Sequence, residues 1–594
     1  MSTKAYQLNS EDKTTKVGLV KNIEMLYEYL KGSRIKMFFA IIFLLINSAT
    51  VIIAPFLIGD ATNKYIPVGD KANLLKAVLI LALIYIAGSI ASYFQIRLMG
   101  MVGQEILFRV RNNIFAKIQS LPLEFFNANK SGDLISRINN DTDKLNQGFS
   151  ETLLRFTGDI VVIIGIGIVM VRLNSSLGLI AWIALIIMAL VTFFLSAWIR
   201  RTNEERLQKL GELSAEVQES LSNFKVTFVF NRRNYFKEVF STVNENNRKA
   251  STLAGITSGL LVPIYNYAGS IASLLILVVG IQLLILDKIS LHSIPEFGTL
   301  ITFILYSNSF FTPLKEMGEL FSQFQTAAAG WTRITRILRL TSNLKRSKNT
   351  ENKYPNTLLK LVDVSFGYSD ENLVLHKINL ELETNKTYAL VGPTGGGKST
   401  IASLMARLYD VTSGTIYFNG RDIRSYTKQE LAKNIGVILQ DPFLFTGTLA
   451  ENIKYGNSNI ADYTLDQLKE ELIRLGLEKV LERFSEGLET NISSASENIS
   501  LGQKQLVAFV RILLREPKLL ILDEATANID TVTEQLLEEI LNKLANNITK
   551  VIIAHRLNTI KNADQIFFIS GGDIEKPVDF NSALNLLNTA KSSS

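Results

Sequence analysis

Two short stretches of this sequence contain residue types that handle phosphate and water. The first, GPTGGGKST at residues 392–400, lies between the apolar run TYALV and the helical run IASLMARLY, and it fits the pattern GxxxxGK[ST]. Its glycines let backbone N–H groups surround phosphate oxygens, while Lys398 would reach the β- and γ-phosphates and Ser399 would ligate Mg²⁺. In this strand–loop–helix context, the pattern predicts a nucleotide-binding loop.

The second stretch, LLILDEAT at residues 519–526, is an apolar run that ends in two acids. An α/β sheet binds its ligand at the carboxyl ends of its strands, so both carboxylates are expected beside the phosphate loop. There Asp523 would hold Mg²⁺ through water, and Glu524 would polarise an attacking water as general base. An acidic pair is weak evidence alone and becomes strong when a phosphate loop accompanies it.

The elements around these motifs have the pattern of an α/β domain. Strand-like runs alternate with helical patterns, as in LLKLVDVSFGY, TYALVG, TIYFNG, IGVILQ, LLILDEAT and KVIIAH, and this alternation predicts a largely parallel sheet. Tyr368, Gln440 and His555 lie in or directly after such runs. Each is unremarkable alone, because a strand aromatic is ordinary and a lone histidine is more often structural than catalytic.

The first half of the chain is dominated by long apolar stretches. Hydrophobic residues make up 47% of the sequence, and there are no cysteines, which excludes disulfides and thiolate metal sites. A bilayer core takes about 20 apolar residues as helix. Six spans are therefore predicted, the third of which needs residues 153–159 to be long enough. They are 37–59, 77–96, 153–171, 173–199, 250–286 and 297–314.

Basic residues predict how these spans are oriented. The loops 97–155 and 200–249 hold eight and ten Lys or Arg residues, whereas the loops around 60–73, 172–176 and 287–296 hold four in all. Both termini and both long loops are therefore predicted to be cytoplasmic. The N-terminus mixes charges of both signs and lacks an apolar core, so no cleaved signal peptide is expected.

The predicted fold class is multidomain: an all-α polytopic membrane domain followed by an α/β P-loop NTPase cassette. The predicted segments are a cytoplasmic N-terminal segment with a short amphipathic helix at 1–32, a six-helix membrane domain with two cytoplasmic loops at 33–340, a polar linker at 341–356, the cassette at 357–580 and a tail at 581–594.

The order of the motifs makes the weak signals strong. Tyr368, GPTGGGKST, Gln440, ISLGQ, LLILDEAT, ATANID and His555 occur in the order, and at about the spacings, of the ATP-binding-cassette domain. The chain therefore resembles an ABC exporter half-transporter from residue 20 to 575, with PLEFFNANKSGDLISRINND resembling the first cytoplasmic coupling region. The resemblance implies a type I (type IV) ABC exporter fold with six long helices, ATP and Mg²⁺ as cofactors, and ATP hydrolysis coupled to export.

The resemblance also implies residue roles. Tyr368 would stack on adenine, Gln440 would sense Mg²⁺ and the attacking water, and His555 would contact the γ-phosphate. Asp530, which ends the D-loop, would communicate between two ATP sites. The implied ATP-binding set is Tyr368, Gly392, Pro393, Thr394, Gly395, Gly396, Gly397, Lys398, Ser399, Thr400 and Asp523; the catalytic set is Glu524, His555 and Gln440; the Mg²⁺ set is Ser399, Gln440 and, through water, Asp523.

The signature motif departs from the family pattern. In the family, each ATP lies between two cassettes and is contacted by the signature of the other chain. This signature comprises Ile499, Ser500, Leu501, Gly502 and Gln503, so ISLGQ replaces the usual LSGGQ and a leucine replaces the first glycine. Glycine serves where backbone must approach a ligand closely, so a weakened partner site is expected.

This asymmetry resembles bacterial heterodimeric ABC exporters, in which one of two ATP sites is degenerate. The expected partner is a non-identical half-transporter with a regular signature and a substituted catalytic acid, in the cytoplasmic membrane of a bacterium. The alternatives are a homodimeric exporter of lipid or peptide and an ATP-gated channel or regulatory subunit. A soluble cassette ATPase of DNA repair or translation would lack the six spans, and no nucleic-acid partner is expected.

The substrate is less determined by the sequence. Phe303, Tyr306, Phe310 and Phe311 in the sixth span suit a lipophilic drug or lipid, although helix packing is the favoured explanation for them. Asp159 in the third span is a functional candidate because intramembrane carboxylates are costly. An ion pair with Arg155, four residues earlier, is the favoured alternative for this carboxylate.

Overall fold

The computed structural model describes residues 6–8, 28–286, 297–344, 346–347, 351–355, 357–369, 372–438, 440, 442–493, 499–523, 530–543, 548–553 and 561–592. Its contacts define two compact units. The membrane unit comprises Lys13–Gln119 and Gly132–Arg339, and the cassette unit comprises Met1–Asp12, Ser120–Ser131 and Leu340–Ser594. The predicted order, a helical part followed by an α/β cassette, is confirmed, while the predicted limits of the five segments stay predictions.

Long helices make up most of the membrane unit. Together with shorter helices, and with α3, which belongs to the cassette unit, the helices that precede the first strand are, in chain order, α1 (Arg34–Lys64), α2 (Lys71–Ser120), α3 (Leu123–Ala128), α4 (Ser131–Ser136), α5 (Thr142–Asn146), α6 (Leu153–Leu173), α7 (Ser175–Ser222), α8 (Phe224–Val229), α9 (Arg233–Gly259), α10 (Leu261–Leu286) and α11 (Phe297–Arg339). The helices α2 and α7 have 50 and 48 residues, far more than a bilayer needs, so both continue well beyond their apolar stretches.

Five helical stretches in the described residues are long and apolar enough to cross a membrane. They are Glu28–Lys64, Lys71–Ser120, Leu154–Leu173, Ser175–Ser222 and Arg233–Gln282. The sixth predicted span forms the first part of the 43-residue helix α11 and is not among the five. Its apolar character is interrupted by the polar run from Tyr306 to Ser309, and Thr302 and Thr312 lower it further.

The aromatic residues of α11 lie inside the membrane unit. Phe303, Tyr306 and Phe310 are fully buried and Phe311 is 5% exposed. The Phe310 ring packs edge-on against Trp182 with centroids 5.7 Å apart. Buried rings of this kind pack helices together, as the favoured explanation predicts. These four side chains therefore give no evidence about the substrate.

The predicted ion pair between Arg155 and Asp159 is wrong. The Arg155 Nε instead lies 3.4 Å from a carboxylate oxygen of Glu316, on α11. The Asp159 Oδ2 is buried and has no hydrogen-bond partner among the described residues. A carboxylate from a neighbouring helix thus takes the arginine that helical spacing alone would give to Asp159.

The cassette alternates strands with helices. Its strands are β1 (Leu359–Phe366), β2 (Leu375–Leu382), β3 (Thr387–Val391), β4 (Ser413–Phe418), β5 (Arg421–Asp422), β6 (Ile435–Ile438), β7 (Gly447–Thr448), β8 (Asn491–Ile492), β9 (Leu519–Asp523), β10 (Thr549–Ile553), β11 (Gln565–Ser570) and β12 (Asp573–Val578). Its helices are α12 (Lys398–Met405), α13 (Lys428–Asn434), α14 (Leu449–Lys454), α15 (Leu465–Arg474), α16 (Glu478–Leu481), α17 (Leu501–Leu513), α18 (Thr531–Lys543) and α19 (Phe580–Ser592).

The main sheet of the cassette brings the phosphate loop and the acidic motif to one edge. Its strand order is β12-β11-β3-β10-β9-β6, and all neighbours from β11 to β6 are parallel. In this register Ile553 of β10 lies opposite both Leu390 of β3 and Asp523 of β9. The carboxyl ends of β3 and β9 are therefore level with each other, as the position of the two motifs predicts.

The second sheet of the cassette is antiparallel, with strand order β2-β1-β4-β5. Its apolar side chains share one core with α12 and the main sheet. A separate core lies among α14, α15, α17 and α18 on the other side of β9. Strand β9 is buried from Leu519 to Leu522, which fixes the position of the acid that ends it.

Candidate ATP site and signature motif

The phosphate loop connects the end of β3 to the start of α12. Gly392, Gly395 and Gly397 have φ angles of +150°, +82° and +110°, which residues with side chains rarely adopt. A Cβ at position 392 would also overlap the carbonyl oxygen of Ile569 on β11. The loop therefore requires glycine at these positions, and its backbone is bare where a phosphate would approach.

Lys398 is the first residue of α12 and is only 6% exposed. Its Nζ donates hydrogen bonds to the carbonyl oxygens of Gly392 and Pro393, both at 2.9 Å. The ammonium is thus held across the loop, next to a helix N-terminus that favours an anion. This arrangement suits a lysine that would exchange carbonyl oxygens for phosphate oxygens.

Ser399 and Asp523 meet at the sheet edge as predicted. The Ser399 hydroxyl donates to the Asp523 Oδ1 at 3.4 Å. A hydroxyl and a carboxylate are oxygen ligands of the kind that Mg²⁺ prefers, so this donor set fits the ion. Gln440 follows β6, the neighbour of β9, and so belongs to the same edge.

Tyr368 stands beside the end of the phosphate loop. Its hydroxyl is 3.2 Å from the Thr400 Oγ1, and its ring contacts the rings of Phe366 and Tyr409 edge-on, at centroid distances of 5.0 and 5.3 Å. The side chain is nevertheless 42% exposed. An exposed aromatic ring held by neighbouring rings is suited to stack on a base.

Two predicted catalytic residues, Glu524 and His555, lie outside the described residues. Along the chain, Glu524 directly follows the last residue of β9, and His555 comes two residues after the end of β10. Their assignment therefore stays a prediction.

The signature motif forms the start of α17. Ser500 is the N-cap: its hydroxyl oxygen accepts from the backbone N–H of Gln503 at 3.2 Å, and the Gln503 side chain accepts from the Ser500 N–H at 2.9 Å. This capping box satisfies two donors that would otherwise be orphaned. The Ser500 hydroxyl keeps its own hydrogen to donate, while Leu501 occupies the first helical position.

Gly502 is buried against the D-loop residue Asp530 and its neighbour Thr533. A Cβ at position 502 would lie 3.2 Å from the Thr533 Cγ2 and 3.3 Å from the Asp530 Oδ2. The hydroxyl of Thr533 donates to Asp530 at 2.7 Å and its backbone N–H donates at 2.9 Å, which together hold the pKa of Asp530 below its usual range. The retained glycine thus allows a close contact between the signature and an ionised D-loop carboxylate.

Two residues near the Tyr368 ring are not singled out by any motif of the sequence. Tyr409 ends the helical run IASLMARLY and contacts Tyr368, and its hydroxyl accepts a hydrogen bond from the Asn127 side chain at 2.7 Å. Burial raises the pKa of this hydroxyl. Asn127 lies within the predicted coupling region, which was the only sequence signal that could have indicated this contact.

Comparisons with known proteins agree with this organisation. A family model described as the ABC transporter transmembrane region matches residues 37–314, and one described as ABC transporter matches residues 375–527. An uncharacterised ABC transporter ATP-binding protein of Bacillus subtilis, YfiC, is 31% identical over 556 residues, which cover 93% of this chain and 91% of that protein. A fatty acid ABC transporter ATP-binding/permease protein of Mycobacterium tuberculosis is 32% identical over 515 residues, which cover 85% of this chain and 78% of that protein.

Among solved structures, a bacterial Atm1-family ABC exporter with ATP bound has a similar fold. Its TM-score is 0.75 at 23% identity, and the match covers 94% of this chain and 98% of that one. The fold and the site define a membrane-embedded ATPase. The chain belongs to the ABC transporter family, with the membrane region and the cassette of an exporter half-transporter fused in one polypeptide. It is therefore an ATPase coupled to transport.

Proposed function

We propose that this chain is one half of a heterodimeric exporter with one hydrolysing and one slow ATP site. The observation that carries the proposal is a contrast within the cassette. The phosphate loop has its three positive-φ glycines, a buried Lys398 and a Ser399–Asp523 contact, whereas the signature has Leu501 at the first position of its helix. The first set would serve this chain's own ATP site, and the second would serve the site of the partner.

The residues of the hydrolysing site have separate tasks. Bound MgATP supplies the phosphoanhydride bond and the metal that polarises it. Lys398 and the loop N–H groups would hold the phosphates, Ser399 and Asp523 would position the ion, and Tyr368 would hold adenine. The Glu524 carboxylate would accept a proton from the attacking water, and His555 and Gln440 would orient the γ-phosphate and that water.

In the slow site, the signature of this chain would face the partner's nucleotide. Ser500 can still donate its hydroxyl hydrogen, and the helix start still presents its N-terminal end to an anion. The side chain of Leu501 adds bulk beside that anion, where glycine would let the backbone approach. Weaker contacts to the transition state would follow, so this site would turn over slowly.

The proposed substrate class is hydrophobic or amphipathic small molecules or lipids. The membrane unit has a cavity of about 230 Å³ between α7 and α10, and its lining is almost wholly aliphatic. At this cavity the Thr192 hydroxyl donates to the carbonyl oxygen of Met188 at 2.7 Å and lies 2.7 Å from the Tyr265 hydroxyl. Apolar walls of this kind favour a lipophilic ligand. A probable multidrug resistance ABC transporter of Bacillus subtilis, YheH, is another relative, at 29% identity.

Transport would follow alternating access in the bacterial cytoplasmic membrane. ATP binding would close two cassettes on each other and turn the membrane cavity outward, and hydrolysis would reset it. Lys and Arg residues are concentrated in the two long loops, which supports a cytoplasmic position for both termini, both long loops and the cassette.

Purification from the native membrane would test the heterodimer. The tagged chain, of 66.3 kDa, is solubilised and its assembly is weighed by native mass spectrometry. A complex with a second half-transporter that has LSGGQ and a substituted catalytic acid is expected. A complex of two copies of this chain would contradict the heterodimer and support a homodimer with two slowed sites.

Vesicle transport would test the direction and the substrate class. Inside-out vesicles are supplied with ATP and a fluorescent lipophilic dye or a labelled lipid, and uptake is compared with that of Glu524→Gln vesicles. ATP-dependent accumulation is expected for the unmodified protein alone. Ion conductance that needs ATP binding, with no accumulation, would instead support a gated channel.

A further inference from the structure

Tyr6 and Leu8, near the start of the chain, are buried in the cassette unit, while Gln7 between them is exposed. Tyr6 is 2% exposed and Leu8 is 5% exposed. Tyr6 contacts Phe125 of α3, the six-residue helix that follows the second long helix, and Thr341 in the residues after α11. Leu8 is bonded to Asn129, which directly follows α3. We call residues 6–8 the N-terminal clasp.

The Tyr6 side chain joins α3 to the residues that lead into the cassette. Its ring packs edge-on against Phe125 of α3, with centroids 6.4 Å apart. Its hydroxyl donates to the carbonyl oxygen of Thr341 at 2.8 Å and accepts from the backbone N–H of Asn343 at 2.9 Å. One side chain thus contacts two segments far apart in sequence and satisfies backbone groups of one of them.

Asn129 and Asn343 complete this contact. The Asn129 Oδ1 accepts from the Leu8 N–H at 3.0 Å, and its Nδ2 donates to the carbonyl oxygen of Tyr6 at 2.7 Å. The Asn343 Nδ2 donates to the carboxylate of the buried Glu124 at 2.6 Å. The clasp is therefore bonded through its backbone as well as through its tyrosine.

The same short helix contacts the ring beside the ATP site. The Asn127 Nδ2 donates to the Tyr409 hydroxyl at 2.7 Å. Tyr409 in turn packs on Phe366 and on Tyr368, with centroids 5.6 and 5.3 Å away. A helix of six residues has little stability of its own, so its position depends on such contacts.

We propose that Tyr6 is a positioning residue for the ATP site. By fixing α3 on residues 341–343, it holds Asn127 against Tyr409, and Tyr409 in turn sets the orientation of the Tyr368 ring. The proposal rests on the proposed function only in taking Tyr368 as the adenine-binding ring. It assigns to the N-terminal clasp an effect on nucleotide affinity at a site that the clasp does not touch.

The Tyr6→Phe variant of the full-length, assembled transporter provides the test. The variant keeps the ring packing on Phe125 but leaves the Thr341 carbonyl and the Asn343 N–H without their partner, which weakens the clasp. We expect the amides of α3 to exchange hydrogen roughly tenfold faster, and KM for ATP to rise roughly three- to tenfold, with kcat changed less than twofold.

The Tyr417→Phe variant is the matched control. It also removes one tyrosine hydroxyl from the cassette unit, and that hydroxyl makes no hydrogen bond among the described residues. No change in exchange or in KM is expected. A purely structural role of Tyr6 would lower the unfolding temperature and leave KM unchanged, and that outcome would overturn the proposal, as would unchanged exchange of α3.

Combining Tyr6→Phe with Tyr409→Phe tests the route of the effect. Both changes act on one contact chain, so the rise in KM should be smaller than the product of the two single effects. Multiplicative effects would show that Tyr6 does not act through Tyr409, which contradicts the proposal. Failure of the proposed adenine contact would be recognised separately, because Tyr368→Ala would then leave KM for ATP unchanged.

Discussion

The phosphate loop and the signature of this cassette are both helix starts suited to anions, and they differ in how they are built. The first has three glycines with positive φ and a lysine held inside the loop. The second has a serine cap that satisfies the helix itself, a leucine at the first helical position and one close-packed glycine. The two sites would contact the phosphates of two different nucleotides.

Two helix N-termini can thus present different sets of groups to a phosphate. In the phosphate loop, bare backbone and a buried ammonium converge on the same place. In the signature, the N–H groups of Ser500 and Gln503 already have partners within the helix start. Any contribution to a partner's ATP therefore comes from the serine hydroxyl and the remaining N–H groups.

The change with the largest expected effect removes the proposed general base. Glu524→Gln keeps the size and shape of the side chain but cannot accept the proton of water, so ATP turnover should fall roughly 100-fold or more. Phosphate release measures turnover, and retained binding of labelled ATP controls for folding. Turnover close to that of the unmodified protein would show that Glu524 is not the general base. It would then contradict the proposal that this chain's own ATP site is the hydrolysing one.

A methyl group at position 502 should have the next largest effect. Gly502→Ala puts a Cβ 3.2 Å from Thr533 and 3.3 Å from Asp530, so these two hydrogen-bonded side chains must give way by a few tenths of an ångström. Overpacking of this kind costs about 1–3 kcal/mol, and we expect a lower unfolding temperature together with slower turnover. The control is Gly211→Ala on α7, where a Cβ would meet no atom within 4 Å. Equal behaviour of the two variants would refute the close contact.

Restoring the family residue in the signature should have a modest effect. Leu501→Gly removes bulk beside the partner's phosphate, but glycine is a poor residue in a first helical turn. We expect the rate of ATP hydrolysis at the slow site to rise roughly two- to threefold. This rise corresponds to a fall of less than about 1 kcal/mol in the activation free energy. Single-turnover measurements with Glu524→Gln in this chain isolate the slow site. A large acceleration of the hydrolysing site would reverse the assignment of the two sites.

The smallest predicted effect concerns the D-loop. Thr533→Val keeps the shape of the side chain but removes the hydroxyl that donates to Asp530, so the pKa of this carboxyl should rise towards its ordinary value. A carboxyl with a lowered folded-state pKa stabilises the fold above its unfolded pKa, and this is lost as the pH falls through the folded pKa.

The variant should therefore have a slightly lower unfolding temperature near pH 7, and the difference should disappear in acid. Thermal unfolding followed across pH checks this expectation. A difference that persists at a pH below about 3 would show that packing, not the carboxylate, is responsible.

The parts of the site that the sequence predicts are those formed by neighbours in the chain. GPTGGGKST contains its own glycines and its own lysine, and the alternation of strands and helices brings it to the edge where Asp523 ends its strand. Ser399 and Asp523 could thus be paired without coordinates. The reason is that parallel strands fix which ends meet.

The contacts that the sequence could not predict join residues far apart in the chain. Helical spacing predicts that Arg155 pairs with Asp159, but the Arg155 Nε lies 3.4 Å from a carboxylate oxygen of Glu316 on another helix. Likewise, nothing in the run around Tyr6 indicates that its hydroxyl would meet Thr341 and Asn343. Such pairings depend on which segments fold together, and periodicity carries no information about that.

The discontinuity of the cassette unit has a consequence for how the chain is made. Ser120–Ser131 leaves the ribosome long before Leu340–Ser594, yet the two belong to one compact unit. During synthesis, Glu124 on α3 must therefore stay without its hydrogen-bond partner Asn343 until the later helices of the membrane unit have been made. The cassette unit can therefore be completed only after the whole of the membrane unit has been synthesised.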